Sequence, residues 1–152
     1  MTLPNIFTEP VATQVINRIN QLQPSTNPQW GKMTVDQMLA HCCVAYEMVY
    51  EDIHPKPGFF MKIILKYFIK PSLTGPKPYK RNSPTAPAFI IKDRRDFELE
   101  KKRLVGYINK SQQLGEEHFD GKVSDSFGVM TKEQWNNMFY KHLDHHLTQF
   151  GV

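Results

Sequence analysis

Two histidines one helical turn apart, set in the middle of an apolar strip, constrain this chain more than any other feature. They stand in Tyr140-Lys141-His142-Leu143-Asp144-His145-His146-Leu147-Thr148-Gln149-Phe150-Gly151. On a helix, with about 100° between successive residues, Trp135, Phe139, His142 and His146 fall within roughly one sixth of the circumference. Leu143 and Phe150 flank that strip on one side, Met138 and Gln149 on the other. Asn137, Lys141, Asp144 and Thr148 gather on the opposite face, so the pattern names the buried side and puts both histidines in it.

A buried imidazole needs a hydrogen-bond partner or a metal, because leaving it desolvated and unpaired costs about 1–3 kcal/mol. At i, i+4 the two Cβ atoms are about 6 Å apart on one edge, from which both rings reach a common ion, as in helical HxxxH zinc sites. A third ligand then has to come from another helix. His145 lies at the edge of the strip and reads as a neighbour of the ligands that could shuttle protons.

The third ligand is found far upstream. Met33-Thr34-Val35-Asp36-Gln37-Met38 carries a capping-box signature, Thr34 with Gln37, and it recurs at Met130-Thr131-Lys132-Glu133-Gln134-Trp135. Both sites mark helix starts. From Val35 to Tyr50 apolar residues surround almost the whole cylinder, which predicts a deeply buried helix containing His41. Alone, His41 reads as a core histidine bonded to a backbone carbonyl; with a pair waiting elsewhere it is the natural third ligand.

The remaining segments complete an all-α pattern. A first helix is expected from about Thr8 or Glu9 to Gln23, with Pro10 in its first turn and Val11, Val15, Ile19 and Leu22 on one face. Phe59 to Lys70 reads as a short helix stopped by Pro71, with Lys62, Lys66 and Lys70 spaced one turn apart beside Phe60, Ile64, Tyr67 and Phe68. That pattern fits an interfacial helix, a surface helix or a lid. Pro71 to Pro87 is a long proline-rich crossover that could bring Lys77, Lys80 and Arg81 to the mouth of a site. A further helix is expected from Asp93 to about Gln113, closed by Gly115. Glu116 to Val123 reads as a loop in which His118 and Asp120 are additional candidates for contact with metal or substrate.

The chain has 152 residues, 40% of them hydrophobic, and a mean hydropathy of -0.48. One domain over 1–152 is expected, with enough core to need no disulfide. Cys42 and Cys43 are adjacent and cannot pair within a helix, which with the N-terminal sequence suggests a cytoplasmic protein with reduced thiols. The longest apolar stretch, Phe59 to Ile69, is too short and too basic to span a membrane. Net charge is +4, unevenly spread: His54 to Lys110 holds fourteen lysines and arginines against four carboxylates. There is no glycine-rich phosphate loop, Ser-His-Asp order or CxxC pair to favour another enzyme class.

His142-Leu143-Asp144-His145-His146-Leu147-Thr148-Gln149, together with the Ala40-His41 helical setting, resembles the DinB/YfiT-like superfamily of metal-dependent four-helix proteins. Trp30-Gly31-Lys32-Met33-Thr34 and the run before Gln149-Phe150-Gly151 look like an uncharacterised branch of it. The resemblance implies a DinB-like four-helix bundle, with the proline-rich crossover between its second and third main helices, and a metal triad of His41, His142 and His146. Leu147-Thr148-Gln149 stands where a common superfamily pattern has Arg-Gly-Gln. Zinc or nickel is the expected ion, with iron or manganese tolerated by the same ligands. The expected activity is hydrolysis, or S-transfer using a low-molecular-weight thiol, on a small-molecule substrate, with His145 or His118 carrying the proton. A partner subunit could close the site in a homodimer. The alternative is a non-catalytic bundle that binds an anionic partner through residues 54–110; nucleic acid is not the expected one.

Overall fold

A computed structural model describes residues 2–152. In chain order its helices are α1 (Glu9–Gln21), α2 (Val35–Tyr50), α3 (Phe59–Ile64), α4 (Lys70–Thr74), α5 (Phe97–Leu114), α6 (Glu116–Phe119) and α7 (Lys132–Gln149). A two-stranded hairpin, β1 (Val123–Ser124) and β2 (Gly128–Val129), precedes α7. Its strands pair antiparallel, Val123 opposite Val129 and Ser124 opposite Gly128. Both α1 and α2 pack against both α5 and α7, which closes four helices into an all-α bundle around one core. The expected fold class is thus observed.

The core is built from the apolar faces of these helices. Ala12, Val15 and Ile19 of α1 are buried, as are Phe97, Leu104 and Ile108 of α5. Twelve of the sixteen residues of α2 are buried, His41 among them. Tyr46 of α2 stacks on Phe139 of α7 with ring centroids 4.6 Å apart, and Phe7 stacks on Phe119 at 4.5 Å. Offset aromatic stacking of this kind adds to the area the rings bury. At the start of α7 both arms of the capping box form: Thr131 Oγ1 accepts from Gln134 N–H and Gln134 Oε1 from Thr131 N–H. At α2, Thr34 N–H donates to Gln37 Oε1.

Several boundaries differ from the expected ones, each for a local reason. Helix α1 ends at Gln21 instead of Gln23, because Leu22 turns extended at ψ 141° to bury its side chain. Gln23 N–H then bonds to Thr26 Oγ1. Helix α5 starts at Phe97, not Asp93: Asp96 caps it by accepting from Leu99 N–H. The buried carboxylate of Asp36 meanwhile holds the backbone N–H of Arg95 at 2.7 Å and Arg94 Nε at 3.1 Å, keeping the chain outside the helix. Gly115, at φ +75°, closes α5 as expected. The segment after it is not a loop but α6 and the hairpin.

Pro71 does not stop the helix that begins at Phe59. Leu65–Ile69 winds as a π-helical turn, with Lys70 N–H bonded to Leu65 O, and α4 continues through Pro71 to Thr74. A proline removes one helical donor and crowds the carbonyl four residues back; the wider π turn makes room for it. Helix α4 then packs on α7, and this changes the face of α7 assigned to solvent. Asn137 and Lys141 are buried, 5% and 4% exposed. Asn137 Nδ2 donates to Thr74 O at 2.8 Å. Lys141 Nζ donates to the carbonyls of Ser72, Leu73 and Gly75 at 2.9, 3.1 and 2.7 Å. These polar groups satisfy the last carbonyls of α4, where a cation is also favoured by the helix dipole.

Candidate metal centre

Helices α2 and α7 bring His41, His142 and His146 together. One nitrogen from each ring lies within 4.8 Å of the others. The ring centroids of His41 are 4.9 Å from those of His142 and 4.5 Å from those of His146, and His142 and His146 are 4.9 Å apart. His41 and His146 are buried and His142 is partly buried. The i, i+4 spacing therefore does what the sequence predicted, and the third ring comes from the helix named for it.

Two of the rings are oriented from outside the cluster. His41 Nδ1–H donates to the carbonyl of Phe89 at 2.8 Å, and His146 Nδ1–H donates to Gln149 Oε1, also at 2.8 Å. Each bond holds the proton on Nδ1 and leaves Nε2 as the unprotonated nitrogen, the tautomer a metal ligand needs. Gln149 is itself fixed, since its Nε2 donates to Trp30 O at 2.7 Å and its backbone oxygen accepts from Gln29 N–H. His142 Nε2 faces His41 Nε2 at 2.9 Å. With His41 Nε2 as the acceptor, that contact places a proton on His142 Nε2, which must move to Nδ1 before the three lone pairs can converge on one ion.

The electrostatics keep the rings neutral. Burial lowers His41, His142 and His146, His142 well below the ordinary imidazole value and His146 to about 3; each ring's histidine neighbours add to the effect. Neutral rings are the metal-ligating form. Among the described residues no carboxylate belongs to the group; Asp144 turns away to pair with Arg18 at 2.7 Å. The donor set therefore fits a divalent ion with three nitrogen ligands and further positions open.

His145 stands beside the cluster, its ring edge-on to His146 at 5.0 Å. It also lines a groove of about 190 Å³ with Trp30, Tyr79, Arg81 and Lys141. Arg81 lies over the Trp30 ring, 4.0 Å from its centroid, and the Tyr79 and Trp30 rings approach His145 at 5.9 and 5.8 Å. Burial lowers His145 as well, opposed by Asp144 and reinforced by Arg81. The proline-rich crossover thus delivers Arg81 to this groove, whereas Lys77 and Lys80 lie outside its lining.

The structure does not bring His118 to the triad. It is exposed on α6, edge-on to Phe119 at 5.1 Å, on the element that packs near the opposite end of α7. Asp120 accepts from Lys132 N–H at 3.0 Å, which ties down the start of α7. Cys42 and Cys43 are free and buried, and burial pushes both thiols up, Cys42 well above its usual value. Such thiols behave as small hydrophobes rather than as nucleophiles.

Two orienting groups escaped the sequence reasoning. The Phe89 carbonyl belongs to the backbone and leaves no trace in residue type. Gln149 does leave one: it flanks the histidine strip three residues after His146, where i, i+3 side chains meet.

Residues 7–151 match the family described as Protein of unknown function (DUF1569), and the chain belongs to that family. Searches of curated proteins and of solved structures gave no match.

Proposed function

We propose that this DUF1569 protein is a metal-dependent enzyme that holds a divalent ion, zinc or nickel, through His41, His142 and His146 and acts on a small molecule. The observation that carries the proposal is the pair of outside hydrogen bonds, accepted by Phe89 O and Gln149 Oε1, that hold the protons of two buried rings on Nδ1 and leave Nε2 as the nitrogen able to ligate. A purely structural histidine needs one such partner; a third ring whose nitrogen lies within 4.8 Å of two rings so held completes a donor set for one ion.

When bound, a divalent ion among three neutral imidazoles keeps its full charge and supplies Lewis acidity toward water or a thiol. The chain's own residues do the rest. The Arg81 guanidinium, spread on Trp30, offers a cation to an anionic group of the substrate in the groove. His145, lining that groove and touching His146, is placed to accept and return the proton. Hydrolysis and S-transfer from a low-molecular-weight thiol both fit these roles. The whole chain as one DinB-like domain, and a cytoplasmic site of action, belong to the same proposal; the buried free thiols support the latter.

Protein reconstituted with zinc and, separately, with nickel is to be assayed for hydrolysis of small anionic esters and amides and for thiol consumption with small electrophiles. Turnover that requires the metal, vanishes in His142→Ala/His146→Ala and falls sharply in His145→Gln supports the assignment. Turnover in the triad variant equal to that of the wild type overturns it.

A further inference from the structure

The strongest unexplained surface lies away from the histidines, on α3 and the π turn. In a globular protein a helix is expected to bury one apolar stripe; this segment does the reverse. Phe59, Phe60, Tyr67 and Phe68 are 73%, 81%, 63% and 74% exposed, and Met61, Ile63, Ile64 and Ile69 are exposed too. From Phe59 to Lys70 only Leu65 and Lys70 are partly covered. Leu65 packs on the core, and Lys70 Nζ donates to Phe127 O and Val129 O in the hairpin. The segment is therefore pinned at its inner side while large apolar side chains stand out in solvent. Patches of this kind mark contact sites.

Charge identifies the contacted surface. Between Ile53 and Lys92 the chain holds eight lysines and arginines and no aspartate or glutamate. Lys56 pairs with Asp52 and Asp125, whereas Lys62 and Lys66, on the apolar segment itself, form no ion pair among the described residues. A second copy of the chain docking through the same face would set these lysines against their own kind. Nucleic acid would neutralise them and stack bases on the rings, but it would leave Met61, Ile63, Ile64 and Ile69 in water. An anionic bilayer surface answers both features, with phosphates for the lysines and acyl chains for the aromatic and aliphatic side chains. No described helix is long and apolar enough to cross a membrane, so contact is from one side.

We propose that Phe59–Ile69 docks the protein peripherally on membranes containing anionic lipid, with Phe59, Phe60 and Phe68 entering the interface and Lys62 and Lys66 holding the headgroups. This inference is independent of the metal centre. It is tested by co-sedimentation of the full chain with phosphatidylcholine vesicles, with and without phosphatidylglycerol, at low and physiological salt. Circular dichroism and light scattering serve as controls. Binding is expected only with phosphatidylglycerol and is expected to weaken with salt. Each lysine near the surface contributes about fivefold in affinity, so Lys62→Glu/Lys66→Glu should weaken binding at least twenty-fivefold by that same scale. Phe59→Ser/Phe60→Ser should also abolish it while the helical spectrum is unchanged, since both side chains are already in solvent. A Phe60→Trp variant should shift its emission to the blue on binding vesicles. The proposal is overturned if the wild type stays in the supernatant, if neutral vesicles bind it equally, or if it binds nucleic acid and not vesicles. It is also overturned if light scattering shows a dimer that Phe59→Ser/Phe60→Ser dissociates without any vesicle binding. His142→Ala/His146→Ala should bind vesicles as the wild type does, which separates this outcome from that of the metal assays.

Discussion

Gln149 gives the sharpest test of the proposed metal centre, because it lies outside the histidine triad and yet orients one of its rings. Its Oε1 accepts the Nδ1 proton of His146, and its Nε2 anchors to Trp30 O. In Gln149→Ala the His146 ring loses both its tautomer lock and its orientation. Groups that orient a metal-binding histidine are worth about 10–100-fold in affinity, or about 1.4–2.8 kcal/mol. The same truncation leaves Trp30 O and a buried ring N–H without partners, costing about 1–3 kcal/mol of stability. Zinc affinity is to be measured by competition with a chromogenic chelator, and stability by urea unfolding of the metal-free proteins. Gln149→Glu provides the comparison, since it keeps an acceptor for His146 but loses the donor to Trp30; it should retain metal better than the alanine variant. If folded Gln149→Ala binds zinc within about twofold of the wild type, the orienting role fails, since nothing like the usual tenfold or greater effect remains.

Other substitutions probe the same structure from further away. Gly31 sits at φ +83°, and a Cβ there would lie 2.5 Å from Gln149 Nε2. Gly31→Ala should cost about 1–2 kcal/mol from backbone strain alone and weaken metal binding by displacing Gln149, measurable in the same chelator competition. Lys141→Met removes the donor to three carbonyls at the end of α4. It should lower stability by about 2–4 kcal/mol in urea, since hydrogen bonds from charged groups exceed neutral ones and the carbonyls are left short of partners. At Asp36, burial acts to raise the carboxyl, but hydrogen bonds from the Arg95 backbone N–H and the Arg94 side chain help to outweigh it, and the group is held below its usual value. Its stabilisation is therefore complete above the ordinary carboxylate range and is lost as pH falls through the lowered value. Asp36→Asn should be less stable than the wild type at neutral pH, and the gap should close in acid titrations followed by circular dichroism.

The centre was legible in sequence where side chains carry it and illegible where the backbone does. His142 and His146 announce themselves through helical spacing, and the Thr131–Gln134 box fixes the phase of their helix. His41 follows from the all-round burial of α2. The Phe89 carbonyl cannot be read from residue type, because any residue would supply it. Lys141 and Asn137 misled for a different reason: a polar side chain facing a neighbouring helix end is as well satisfied as one facing water, and periodicity cannot tell the two apart. Pro71 misled because a π turn upstream absorbs a proline that would otherwise end a helix. The exposed Phe59–Ile69 face was visible as an amphipathic pattern, but only the fold shows that nothing in the described chain covers it.

Metal content decides whether His41, His142 and His146 hold an ion. Protein purified without an affinity tag or chelator is to be measured by elemental analysis beside His142→Ala/His146→Ala, as isolated and after reconstitution with zinc, nickel, manganese and anaerobic ferrous iron. Near-stoichiometric metal is expected in the wild type and almost none in the variant, with the helical spectrum retained in both. A wild type that stays empty after every reconstitution, or a variant that binds as much metal as the wild type, would contradict it.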